Sequence, residues 1–126
     1  EYSVDPIWAP DGSYIVYSGP DIGTTFQVRA ATPEGRPYSF LNLVLTRGAR
    51  HFAFVPDRLA LIALKGEMGH KDVWLIDLQT GNERALTNFG RDIVVRDFDV
   101  SRDGRELVIE QVQEHSDIVR IDLTTG

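Results

Sequence analysis

The sequence predicts an all-β fold made of repeated four-stranded antiparallel units. Three observations carry that expectation: short stretches of alternating apolar and polar residues, turn residues between them, and a period that repeats both. Asp11, Asp57 and Asp103 stand 46 and 46 residues apart, and the sets Trp8, Phe54, Val100 and Pro6, Phe52, Phe98 keep the same spacing. A second motif runs in phase with the first. Asp72-Val73-Trp74-Leu75-Ile76-Asp77-Leu78-Gln79-Thr80-Gly81 matches Asp117-Ile118-Val119-Arg120-Ile121-Asp122-Leu123-Thr124-Thr125-Gly126, and Val28 to Gly35 is a weaker copy. Periods of 20–50 residues mark solenoids, propellers and arrays.

Alternation of apolar side chains places the strands, because successive residues of a strand face opposite sides. In the first unit they are 4–8, 14–18, 26–32 and 38–45. In the second they are 49–54, 59–64, 73–78 and 84–87, and in the third 95–100, 106–112 and 118–123. The third unit is expected to carry three strands. Asp11-Gly12 and Asp103-Gly104 predict tight hairpins, since glycine takes positive φ without strain. Pro33-Glu34-Gly35 and Thr80-Gly81-Asn82 mark the next turn of each unit. Arg58 stands where the other units have glycine, so the second hairpin is expected to be tighter or distorted. No stretch has helical periodicity.

Four strands per unit of 40–50 residues describe a β-propeller blade. The expected fold is a propeller segment of about three blades, approximately 1–46, 47–92 and 93–126, forming one partial domain. The quoted residues also carry a family resemblance. Ala9-Pro10-Asp11-Gly12, Val55-Pro56-Asp57, Ser101-Arg102-Asp103-Gly104, Asp72-Val73-Trp74, Asp117-Ile118-Val119 and Leu86-Thr87 resemble the Ser-Pro-Asp-Gly, Asp-Ile-Trp and Leu-Thr signatures of the WD40-like repeat in TolB-type propellers. The stretch 95–101 followed by Ser116-Asp117-Ile118-Val119 resembles the last blades of sensor propellers fused to bacterial serine/threonine kinases or winged-helix regulators. The resemblance implies a rigid binding scaffold, an extracytoplasmic or periplasmic setting and a channel that can carry a cation such as calcium.

Three blades cannot close a ring of about 4–8, and an open array exposes two sheet faces that need neighbours. Either the chain is a segment of a larger propeller in a longer protein, or a second copy of the chain completes a six-bladed ring. Symmetric pairing buries both open faces.

Composition agrees with a globular chain. Of 126 residues, 42% are hydrophobic and 25% charged, enough apolar material for a core. There is no cysteine, which rules out disulfides and thiolate metal sites. No apolar run reaches the roughly 18 residues that cross a membrane as a helix. The first residues lack the basic start and apolar stretch of a signal peptide, and a mature exported chain would look the same. A net charge of −6 argues against nucleic acid and anionic membranes as main partners, both of which need a basic surface. The charge is uneven: 1–46 and 93–126 are acidic, and 47–92 is nearly balanced.

No Gly-x-Ser-x-Gly elbow, phosphate-cradling loop, His-Glu-x-x-His or Gly-x-Gly-x-x-Gly occurs, so an enzyme is not expected. The candidate ligand residues follow from position. First strands of blades line a propeller's channel, and the repeat aligns Asp5, His51 and Asp97, then Ile7, Ala53 and Asp99, then Val4, Arg50 and Arg96. The channel candidates are therefore Asp5, Arg50, His51, Arg96, Asp97 and Asp99. Their alternative role is to pair with one another, because burial demands it. Asp11, Gly12, Asp57, Asp103 and Gly104 are assigned to turn structure, the aspartates bonding backbone N–H groups two residues on. His70 and His115 occupy equivalent loops, and no set of three or four converging zinc ligands is evident. Trp8 and Trp74 are expected in the core between blades.

The expected function is a non-enzymatic binding module that meets a protein or peptide through top-face loops and the channel mouth. Two alternatives come with the fold. One is the gating propeller of a prolyl-oligopeptidase-like or tricorn-like peptidase, whose serine would lie in another domain. The other is a homo-oligomeric ring that binds a small ligand or cation in its channel.

Overall fold

The computed structural model describes residues 4–38, 43–46, 52–67, 70–90, 93–112 and 116–124. These form three antiparallel sheets, each connected in simple sequential order. The first contains β1 (Val4–Trp8), β2 (Ile15–Ile22), β3 (Thr25–Ala31) and β4 (Leu43–Thr46). The second contains β5 (Phe52–Phe54), β6 (Ala60–Glu67), β7 (His70–Asp77) and β8 (Glu83–Ala85). The third contains β9 (Val94–Val100), β10 (Glu106–Val112) and β11 (Ser116–Asp122). No helix occurs among the described residues. This is the expected all-β series of four-stranded units, the third with three described strands.

The sheets stack in sequence with an apolar layer between each pair. The first layer joins Val16, Phe26, Val28, Leu43 and Leu45 of sheet 1 to Phe52, Leu61, Ala63 and Ile76 of sheet 2. The second joins Ile62, Leu64 and Val73 of sheet 2 to Phe98, Leu107 and Ile109 of sheet 3. Sheet 2 is therefore covered on both sides, which explains the unbroken apolar run Ala60-Leu61-Ile62-Ala63-Leu64. Successive side chains of a strand point to opposite faces. Leu61 and Ala63 enter the first layer, while Ala60, Ile62 and Leu64 enter the second. On β10, by contrast, Leu107 and Ile109 are buried and Val108 between them is exposed. One covered face gives alternation; two give a continuous run.

The hairpins between the first two strands of each sheet share one hydrogen-bond plan. Ala9 N–H donates to the Tyr14 carbonyl at 2.9 Å, Val55 N–H to Ala60 at 2.9 Å and Ser101 N–H to Glu106 at 2.9 Å. Inside each loop Gly12, Arg58 or Gly104 donates back three residues, at 2.9, 3.2 and 3.0 Å. The Arg58 hairpin is thus no tighter than the others. It differs by an added bond from Ala60 N–H to the Arg58 carbonyl at 3.0 Å.

Some strand limits differ from the expected ones. Of the strand expected at 38–45, residues 39–42 lie outside the described residues and 43–45 fall in β4, Leu43–Thr46; just before that stretch Pro37 makes an isolated bridge to Ala31. Residues 49–51 of the expected fifth strand lie outside the described residues. The strand expected at 84–87 is β8, Glu83–Ala85. It ends early because Thr87 turns its hydroxyl inward to Asp72 at 2.7 Å, while Leu86 still donates to the Val73 carbonyl at 2.8 Å.

Candidate functional site

The expected channel residues divide in the structure. Arg50 and His51 lie outside the described residues. Asp5 lies on β1. Arg96, Asp97 and Asp99 lie together on β9 and are exposed. Arg96 reaches across to β10, where its guanidinium stands 3.3 Å from Glu110. Arg96 falls at the irregularity where the β9–β10 register shifts, an extra residue of the kind that re-aims side chains. Asp97 accepts a bond from Phe98 N–H at 2.8 Å, and Asp99 from Val100 N–H at 2.9 Å. Both carboxylates thus fold back on their own strand. His70 opens β7 and is exposed, and His115 lies outside the described residues.

The turn residues form a row along one edge of the stack. Asp11 accepts from Ser13 N–H at 3.0 Å and from its hydroxyl at 2.6 Å. Asp103 accepts from Arg105 N–H at 3.0 Å and from the Ser101 hydroxyl at 2.6 Å. These bonds, led by the serine hydroxyls, hold both carboxyls below the usual aspartate value. Asp57 instead faces the Nε of its neighbour Arg58 at 3.4 Å. Gly104, at φ 72°, presses against the second turn. A Cβ there would meet Asp57 Oδ1 at 3.2 Å and Pro56 at 3.3 Å. Between the first and second turns the corresponding position is Arg58, and there a cleft of about 260 Å³ opens, lined by Pro10, Asp11, Pro56, Asp57, Arg58 and Leu59.

Several features have no clear signature in the sequence. Lys65 on β6 grips Glu83 of β8 through both carboxylate oxygens, at 2.8 and 2.9 Å, and its ammonium stands 5.0 Å from the Trp74 ring centroid. The only signal is a lysine ending an apolar run one strand away from a tryptophan. Lys71 is buried, and burial lowers its pKa; its type gives no signal at all. A second cleft of about 400 Å³ is lined by Leu75, Asp77, Asn82, Glu83 and Arg84. Trp74 is half-buried, but Trp8 is 58% exposed. The core placement expected for Trp8 is therefore wrong. It lies on the face of sheet 1 turned away from sheet 2, where none of the described residues forms a further sheet. Among the described residues no group of three or more His, Asp or Glu side chains converges as a metal site.

Sequentially connected antiparallel sheets, stacked face to face at a 46-residue period, are the blades of a β-propeller segment. Comparison with solved structures narrows the type to the TolB-like propeller fold. TolB from Acinetobacter baumannii superposes with a TM-score of 0.74 at 20% identity, over 99% of this chain and 31% of that one. A putative TolB from Agrobacterium tumefaciens superposes with a TM-score of 0.69 at 15% identity, over 100% of this chain and 48% of that one. The chain thus spans about a third to a half of the structures it matches. No protein-family model and no curated protein matches the sequence.

Proposed function

We propose that the chain is a non-enzymatic binding module that meets a protein or peptide through its blade loops and the mouth of the channel. One observation carries this reading. β9 presents Arg96, Asp97 and Asp99 exposed on a first strand of a rigid stack, with two carboxylates fixed by backbone N–H groups. Such a strand offers fixed charges of both signs to an extended partner, and rigid scaffolds carrying polar loops are where binding residues concentrate. The TolB-like fold supports a protein or peptide as partner and a setting outside the cytoplasm; fold by itself does not choose the ligand.

The test is an NMR titration of the labelled chain with a mixed pool of short peptides. Shifts confined to β9 and neighbouring loops, and lost in an Arg96→Ala/Asp97→Ala double variant that still folds, are the expected result. Shifts that the double variant keeps, or none with any pool, would sink the proposal.

A further inference from the structure

The first strand of a sheet has one edge that its own sheet leaves uncovered. β9 pairs with β10 on one side and with no described strand on the other. An edge of this kind presents a row of backbone groups on which another chain can pair. Which N–H groups point there follows from the ladder, because antiparallel partners alternate between pairs that exchange backbone bonds and pairs that do not. Ser101 N–H donates to the Glu106 carbonyl. Asp99 with Val108 and Asp97 with Glu110 are then bonded pairs, whereas Val100 with Leu107 and Phe98 with Ile109 are not. The register irregularity lies beyond Glu110, so the alternation holds over this stretch. The N–H groups of Phe98 and Val100 therefore point away from β10.

Both of those donors are occupied from within the strand. Phe98 N–H donates to Asp97 Oδ1 at 2.8 Å, and Val100 N–H to Asp99 Oδ1 at 2.9 Å. Each carboxylate oxygen stands in for the carbonyl that an added strand would bring. Aspartate competes with ladder pairing in this way because its short side chain reaches nearby backbone. Asp97 and Asp99 are exposed, so water was open to them as an alternative partner. β1 loses the first of these donors by other means. The position 46 residues before Phe98 is Pro6, and proline has no N–H to give a ladder.

We propose that Asp97 and Asp99 close the outer edge of β9 to strand addition, so that a partner at this strand is recognised by its side chains and not by its backbone. The closure stands on strand geometry; what it says of the partner rests on the binding reading above and deepens it. Strand addition draws its affinity from main-chain hydrogen bonds, and β9 has given away the two donors that such a strand needs. What remains for a partner is side-chain contact.

An end-capped peptide with the sequence of residues 106–112, the strand that pairs with β9 on its other side, is the probe. It is titrated up to about 1 mM, the weak end of measurable affinity, into the full labelled chain and two double variants. Asp97→Ala/Asp99→Ala removes both acceptors. Asp97→Asn/Asp99→Asn keeps an acceptor oxygen at each position and removes the charge. The native chain and the asparagine variant should leave the peptide unbound. The alanine variant should bind it, with amide exchange slowed at Phe98 and Val100. Native binding that slows those two amides overturns the proposal, and so does an alanine variant that leaves the peptide free. An asparagine variant that binds as the alanine one does overturns it in favour of charge repulsion. Should the double alanine variant fail to fold, Asp99→Ala alone opens Val100, and slowed exchange there is the expected result; unchanged exchange overturns the closure. The two proposals fail separately. A peptide pool that leaves β9 unshifted removes the binding reading and not the closure, and a strand peptide bound to the native chain removes the closure and not the contacts of Arg96 and Asp97.

Discussion

Asp57 and Asp103 hold the same step of the repeat and do different things there. Asp103 ties its turn through Ser101 and Arg105, whereas Asp57 meets Arg58, at a position where the other turns have glycine. Asp103→Ala should therefore lower the melting temperature, and Asp57→Ala should lower it less; thermal denaturation of the two variants checks the order. Asp103 also gives the sign of the acid response. Its folded pKa lies below the ordinary 3.8, so its stabilising bonds are intact above that value and are lost as pH falls through the folded one. Tyr14 sets an alkaline counterpart. Burial, helped by Asp11 and Tyr38, pushes its phenol up from 10.0 to about 12. Between those values the unfolded chain has lost the proton and the folded chain has kept it, so stability falls as pH rises through that window. Lys71, with a lowered folded value, opposes part of this fall. Comparing the denaturant midpoint of Tyr14→Phe with the native chain from pH 9 to about 12 isolates the tyrosine: the variant should decline less steeply. Tyr14 sits 5.0 Å from the Tyr38 ring and 6.1 Å from Phe54 of the next sheet, and the hydroxyl deletion leaves both contacts.

Two sequence signatures that look unrelated prove to be one structural device at the level of the strand. Asp72 opens the Asp-Val-Trp stretch of β7, and Thr87 closes the unit after β8. Asp72 Oδ1 accepts from the Thr87 hydroxyl at 2.7 Å and from Phe89 N–H at 2.9 Å, and the same hydroxyl accepts from Val73 N–H at 3.0 Å. The chain beyond β8 is thereby pinned to β7 where strand pairing has ended. Thr87→Val leaves Val73 N–H and one Asp72 bond without partners and should cost about 0.5–1.5 kcal/mol. Asp72→Ala removes two acceptor bonds and should cost about 1–3 kcal/mol. Double-mutant coupling in urea melts measures how far they act as one; simple additivity would contradict the pinned geometry. Strand identity was legible from alternation and turn residues, because both are local. The early end of β8 was not, since it depends on a side-chain bond across fifteen residues. The turns that follow the third strand of each sheet were legible for the same local reason. Asp77 and Asp122 each accept N–H bonds from two residues on, at 2.8 Å, and Thr32 caps the first copy through Arg36 N–H at 3.1 Å.

For the whole molecule, the repeat told which positions are equivalent but not which of them have a neighbour. Trp8, Phe54 and Val100 are one position in three sheets. Phe54 and Val100 pack against the preceding sheet, and Trp8 faces away from the rest of the stack. Residue type and period agree in placing Trp8 in the core; whether a surface is covered is a property of the assembly. The proposed channel residues are defined only by their position on first strands, and Arg96 turns to Glu110 because a register irregularity on β9 re-aims it, which no local pattern signals. The same logic orders stability within the chain. Sheet 2 has apolar layers on both faces, and its strand β6 contributes to both, so opening β6 exposes two cores at once. Sheets 1 and 3 each lose one layer when they open. Local opening costs rise with the buried apolar contacts that opening breaks. Amide hydrogen exchange should therefore be slowest at Leu61–Leu64 and Val73 and faster at the outer strands β1 and β11. Equal protection across the three sheets would mean that the stack unfolds as a single unit. Protection that is highest in sheet 1 or sheet 3 would contradict the central sheet as the anchor of the fold.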